Sequence, residues 1–291
     1  MDSEEQLAGL SPNVWMRQWD SVYELFGRDA FFTSVVGTVV FTSAVFWLIN
    51  IFFIVLDVTG KPAVLLRYKV QPDKNRPVSS DSLLRAIRVA LFNQTVVGGP
   101  FVLCLYKALV WRGCGFEPSS LPSYQRALME MVVFVAVEEI GFYYFHRLLH
   151  HPALYKEIHK LHHEWTAPVG VVAIYAHPIE HVLANLVPAV AGPLLMGAHV
   201  AMLWLWLGIV IVTTVIHHSG YHFPFMSSPE FHDFHHLKFN NCYGVLGLLD
   251  RLHGTDQLFR ASASYHRHKV LFSLYPASKL VPDRCQAGKT F

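Results

Sequence analysis

The sequence predicts an all-α integral membrane protein: about four to five transmembrane or re-entrant helices with a cytosolic, histidine-lined site for two metal ions. Three observations predict it. Hydrophobic residues make up 53% of the 291 positions and charged ones 15%, with a mean hydropathy of +0.32, whereas disorder and coiled coil need far more charge. Several apolar runs are too long for ordinary buried helices. Histidine, the commonest metal ligand, reaches 18 residues against 21 for Asp and Glu together. A net charge of +2 gives no case for nucleic acid as a partner. Cys104, Cys114, Cys242 and Cys285 lie far apart with no CxxC pair, against a disulfide scaffold or a cysteine-built zinc site.

The elements follow in order. Phe31 to Leu56 contains no charged residue; as a helix it runs about 39 Å, enough to cross a ~30 Å hydrocarbon core with tilt. The acidic residues before it (Asp2, Glu4, Glu5) exclude a signal peptide. A second span, about Ala90 to Trp111, is weakened by Asn93, Gln94 and Lys107. A third runs from about Leu128 to Phe145 with Glu138 and Glu139 inside it. Val182 to Ile216 is the longest apolar region, and Gly192-Pro193 with Gly197-Ala198-His199 reads as the tip of a helical hairpin. Lys61, Arg67, Lys69, Lys74, Arg76, Arg85 and Arg88 lie between the first two spans. The positive-inside rule then puts residues 58–89 in the cytosol and the N-terminal tail in the lumen. Counting onward, both histidine-rich segments emerge on the cytosolic face.

Most of the histidines fall between His146 and His236. His146 and His150 form an HxxxH pair, one above the other on a helix and able to share an ion. His159-His162-His163 and His232-His235-His236 are both HxxHH. Neighbours on a helix diverge by about 100°, so each motif suits straddling two ions, and two of them facing each other would build a two-metal cage. At 18 histidines in 291, chance places only ~0.07 copies of HxxHH in such a chain. His177 and His218, at the two ends of the hairpin, are expected to complete the sites. Whether His181, His217 or His222 also ligates is left open by spacing alone. His199 falls on the wrong side of the membrane, and His253, His266 and His268 are assigned to a solvated tail. All-imidazole ligation suits iron, copper or zinc rather than magnesium or calcium. Glu139, Glu180 and Asp233 are expected behind the ligands, accepting the far N–H of an imidazole.

The order HRLLH (146–150), HKLHH (159–163), AHPIE (176–180), HSGY (218–221) and FHDFHH (231–236) resembles the fatty acid hydroxylase superfamily. HKLHHEW, YAHPIE and HHSGYHFP are most similar to its sterol C4-methyl oxidase branch, over roughly residues 127–256. The resemblance implies a non-haem di-iron oxygenase of the endoplasmic reticulum. It would use O₂ and electrons from NAD(P)H, relayed by cytochrome b5 and its reductase, to oxidise an unactivated C–H bond. It implies a lipid substrate, a sterol before an acyl chain, and other sterol-pathway enzymes as further partners. One departure is His222, where those oxidases read HSGYD. No GxGxxG motif appears, so reducing equivalents must come from a partner. Phe142, Tyr143, Tyr144, Phe145, Trp204 and Trp206 offer an apolar route for the substrate, although lipid-facing packing is the commoner role of such residues.

Residues 1–126 are thus expected to form an N-terminal membrane region, 127–256 the catalytic domain and 257–291 a cytosolic tail. The competing readings are a fatty acyl or sphingoid-base hydroxylase or desaturase, a metal transporter with ligands at mid-membrane depth, and a non-catalytic regulatory paralogue.

Overall fold

The computed structural model describes residues 14–282. Among them the chain is helical, and its one strand-like pairing is a bridge between Lys69 and Tyr221. We number the main helices α1 (Val14–Leu25), α2 (Ala30–Thr59), α3 (Ser80–Arg112), α4 (Tyr124–Leu149), α5 (Pro178–Met196), α6 (Val200–His218) and α7 (Glu230–Lys238). α2, α3, α5 and α6 are long and apolar enough to cross a membrane, so this is a multi-span membrane protein. α4 is as long but carries Glu130, Glu138 and Glu139, and it packs within the bundle against α5.

Local chemistry sets the boundaries. Asp29 Oδ1 accepts from Phe32 N at the start of α2, and Ser123 Oγ from Arg126 N at the start of α4; both occupy orphan donors of a first turn. At the end of α5 the chain reverses through Gly197 at φ +61°, a left-handed conformation that glycine adopts without penalty. The hairpin tip therefore sits at Gly197–His199 rather than at Gly192-Pro193, which lies inside α5. Gly192 has another use. A Cβ there would stand 2.8 Å from the Phe134 Cα, so its absence lets α4 and α5 pack backbone to backbone.

Contacts at both ends orient the helices. α2 and α6 run parallel: Trp204 Nε1 donates to Thr38 Oγ1 (2.9 Å) at one end, and Tyr221 OH to Asp57 Oδ1 (2.8 Å) at the other. α3 begins at the second end, where Arg85 pairs with Glu164 (3.1 Å), and finishes at the first, where Arg112 donates to the Leu195 carbonyl (3.0 Å). The non-spanning segments 60–79, 150–177 and 219–282 thus gather at one end of the bundle. They are clamped there by Asp57, which is buried and lies 3.3 Å from Lys69 Nζ.

Polar residues inside the spans have assigned tasks. In a π-helical turn of α3 (Asn93–Val97), Asn93 donates to the carbonyls of Ile174 and Ala176 (2.9 and 2.8 Å), and Gln94 accepts from Trp47 Nε1 (2.8 Å). α3 also starts ten residues earlier than its apolar run, so Arg85 and Arg88 are helical rather than part of a loop. Residues 257–282 are not simply a solvated tail, although His266 and His268 are exposed as expected. Phe259 is 2% exposed against Phe231, Lys269 O accepts from His222 Nε2 (2.9 Å), and the His268 ring tilts over Phe231 at 5.6 Å. His253 is exposed but stacks on Tyr143.

Candidate metal centre

Nine imidazoles converge where the helices end. His146, His150, His159, His163 and His235 form one group and His162, His218, His232 and His236 another, the ligand atoms of each within 4.8 Å of one another. The doublets divide because adjacent helical residues diverge: His163 joins the first group and His162 the second, His235 the first and His236 the second. The groups adjoin, with the His163 and His236 ring centroids 4.9 Å apart. His146, His159, His162, His163, His218, His232, His235 and His236 are all buried.

Backbone carbonyls fix the rings. The Nδ1 atoms of His146, His162, His218, His235 and His236 lie 2.7–3.2 Å from the carbonyls of Tyr243, Tyr175, Thr214, Asn241 and Trp165. A carbonyl only accepts, so each Nδ1 carries the proton and each Nε2 presents a lone pair. Those Nε2 atoms point at one another or at the Nε2 of a neighbouring ring: His218 to His162 at 3.4 Å, His218 and His236 to His232 at 2.8 and 3.2 Å, His235 to His163 at 3.1 Å and His146 to His159 at 3.1 Å. Facing lone pairs repel without a cation between them. Ligands about 2.1 Å from a shared ion and at right angles stand about 3 Å apart, which is the spacing seen. Burial, then the neighbouring imidazoles, pushes His163, His232, His235 and His236 well below the ordinary imidazole range, and burial brings His162 down to about 4. The rings outside the spans are thus neutral and ready to ligate at pH 7. The donor set fits two borderline-soft metal ions with open coordination positions.

The acids behind the rings differ from one another. Glu180 Oε1 lies 2.9 Å from His159 Nδ1, both buried. Glu139 touches no imidazole: its oxygens accept from the backbone N–H groups of Val245, Leu246, Leu248 and Leu249. Asp250 accepts from the Tyr243 and Gly244 N–H groups (2.8 and 2.7 Å). Together they anchor the segment whose Tyr243 carbonyl holds His146, a role visible only once the chain has folded. Asp233 accepts from Gln71 Nε2 (3.0 Å), which also reaches the Thr166 carbonyl, and burial pushes the Asp233 carboxyl up to about 7.

His177, His181, His217 and His222, the histidines beside the motifs that the sequence offers as ligands, stay outside both groups. His177 is the one among them expected to ligate. Instead it caps α5, its Nδ1 accepting from Ile179 N (3.2 Å) ahead of Pro178. His151 before Pro152 does the same, so the His-Pro pair was the available signal; His199 caps α6 ahead of Val200 without one. His181 bonds Asn185, His217 faces a cavity, and His222 lies 3.4 Å from Glu230.

That cavity, about 210 Å³, opens from His146, His159, His162, His218 and His232 and runs down between the spans. Its wall includes Phe46 of α2, Leu105 of α3, Phe142 of α4, Val190 of α5 and Leu207 of α6. From His218 back to Leu207 is about 16 Å of helix. Of the aromatics expected to line a route, Phe142 does; Trp204 and Trp206 instead tie helices together through Thr38 and the Ala189 carbonyl.

The family model for fatty acid hydroxylase matches residues 131–255. The chain is similar to fatty acid hydroxylase domain-containing protein 2 of Homo sapiens, 46% identical over 277 residues covering 94% of this chain and 82% of the relative. It is 37% identical to fatty acid hydroxylase ahd1 of Mycosarcoma maydis over 236 residues (81% and 61%). It is 32% identical to methylsterol monooxygenase 2-2 of Arabidopsis thaliana over 240 residues (78% and 87%). No solved structure matches.

Proposed function

This chain belongs to the fatty acid hydroxylase family, and from that premise we propose that it is a membrane-bound di-iron oxygenase that oxidises a C4 methyl group of a sterol intermediate. The observation that carries the lipid reading is the cavity: it joins five of the nine convergent imidazoles to the interior of the bundle, where a bilayer-dissolved molecule can enter. When bound, a pair of iron ions supplies the O₂ chemistry, with electrons from NAD(P)H delivered through cytochrome b5. We place the protein in the endoplasmic reticulum membrane with the site facing the cytosol.

The chain's own residues bind, orient and exclude water. The carbonyls of Tyr243, Tyr175, Thr214, Asn241 and Trp165 hold the imidazoles in one tautomer, and Glu180 sets His159. Burial of the rings keeps bulk water from the reacting carbon. Phe142, whose ring centroid lies 5.0 Å from that of His146, gives the substrate an apolar wall beside the ligands. Sterol chemistry is supported by the AHPIE and HSGY segments and by the methylsterol monooxygenase relatives. A second reading, oxidation of an acyl chain or sphingoid base, is supported by the fungal relative named a fatty acid hydroxylase.

Lipid profiles of cells lacking the protein separate the two. The sterol reading expects 4-methylated sterols to rise and His163→Ala to fail to restore them. If 4-methylsterols stay level while 2-hydroxylated acyl chains or hydroxylated sphingoid bases fall, the acyl reading replaces it.

A further inference from the structure

Along α4, Glu138, Phe142 and His146 recur at i, i+4 and i+8, forming one stripe, and all three line the cavity. Two turns and a fraction of helix put Glu138 about 12 Å along the axis from His146. Its neighbour Glu139 is fully engaged by backbone N–H groups, but Glu138 makes no hydrogen bond or ion pair with any described residue. The wall deep in the bundle is otherwise largely apolar, with Val102, Leu105 and Val190 among its side chains. A polar group held in such a place is costly unless it finds a partner. A carboxyl group can both donate and accept, so an occupant of the cavity can supply that partner.

We infer that Glu138 receives a hydroxyl or oxo group of the lipid substrate, about 12 Å from the carbon oxidised beside the metal ions. This rests on the proposed function only in taking the cavity as the substrate's place. It narrows the substrate to lipids with a second polar group remote from the reacting carbon: a sterol oxygenated on its side chain, or an acyl chain with an in-chain hydroxyl. Phe142 lies between the two ends of the stripe and packs the apolar stretch that separates them.

The test is equilibrium binding to the full-length, metal-loaded chain in lipid nanodiscs, kept without reductant so that no turnover occurs, and read by displacement of a fluorescent lipid. Two matched pairs serve as probes: a 4-methylsterol with and without a side-chain hydroxyl, and a long-chain fatty acid with and without a mid-chain hydroxyl. The wild type is expected to bind the hydroxylated member about tenfold more tightly in at least one pair, the worth of one hydrogen bond in a dry site. Glu138→Leu should bring that ratio near one, and Glu138→Gln, which keeps a donor and an acceptor and serves if the leucine variant does not fold, should keep most of it. Equal affinities in both wild-type pairs, or an unchanged ratio in Glu138→Leu, overturn the assignment. A preference confined to the fatty-acid pair upholds the role of Glu138 while setting the sterol reading aside.

Discussion

At the scale of the residue, the site works through which nitrogen carries the proton. Five of the nine rings have Nδ1 pinned to a carbonyl, so their Nε2 lone pairs are turned into the cluster by the fold itself. Removing one ligand from either group should therefore be felt as metal loss. His162→Ala should empty the four-imidazole group and His235→Ala the five-imidazole group, each taking elemental content from roughly two ions per chain toward one. Unchanged content in both variants would overturn the cage. Glu139→Ala should act at a distance, leaving the N–H groups of Val245, Leu246, Leu248 and Leu249 without their acceptor. The expected cost is about 3 kcal/mol, seen as a lower unfolding temperature together with lost metal. The clustering of the imidazoles was legible because His-box spacing maps directly onto helix geometry. The carbonyls of residues 165, 175, 214, 241 and 243 were not, since every residue carries one and only the fold selects which are aimed. Glu139 was misassigned for the same reason: its partners are backbone.

At the scale of the element, span positions were legible from hydropathy and their exact ends were not. α3 runs ten residues past its apolar stretch because Ser80–Val89 is amphipathic and packs at the site end, a pattern that hydropathy averages away. Sequence marks the hairpin tip by two glycine sites without separating them, because glycine serves either a left-handed turn, as at Gly197, or close packing, as at Gly192. The two uses look alike in sequence. Close packing makes a prediction: Gly192→Val must push its side chain into the Phe134 backbone, prising α4 from α5 for about 1–3 kcal/mol. Thermal unfolding in detergent measures it. Asn93→Leu keeps the shape and removes the donor to the Ile174 and Ala176 carbonyls. Because Tyr175 lies between them and its carbonyl holds His162, this variant should lower metal content without touching a ligand. Retention of full metal content would show that the α3 clamp does not reach the site.

At the scale of the whole molecule, charge and architecture agree on a direction. The end bearing the imidazoles also bears Lys61, Arg67, Lys74, Arg76, Lys156, Lys160, Arg251 and Arg260, whereas Arg28, Arg112 and Arg126 lie toward the hairpin tip. Lys69 is buried against Asp57 and adds nothing to this count. The expected outcome is that glycosylation tags are modified at the N-terminus and not beyond residue 260. A modified C-terminal tag would reverse the orientation. The folded segment 257–282 escaped sequence reading because its buried residues, Phe259, Leu271 and Ala277, are scattered among polar ones with no period to find.

The two imidazole groups also change how the chain is connected. Each draws histidines from before and after the α5–α6 hairpin: His162 with His232 in one, His163 with His235 in the other. An ion in either is a cross-link that closes a loop of more than fifty residues, as a disulfide would. For such a loop the chain-entropy gain has a ceiling of about 4 kcal/mol, lowered by the helix packing that already restrains it. The hairpin is thus the element most dependent on the ions. A chelator should expose the stretch between Glu164 and His177 to limited proteolysis before any other part of the bundle opens.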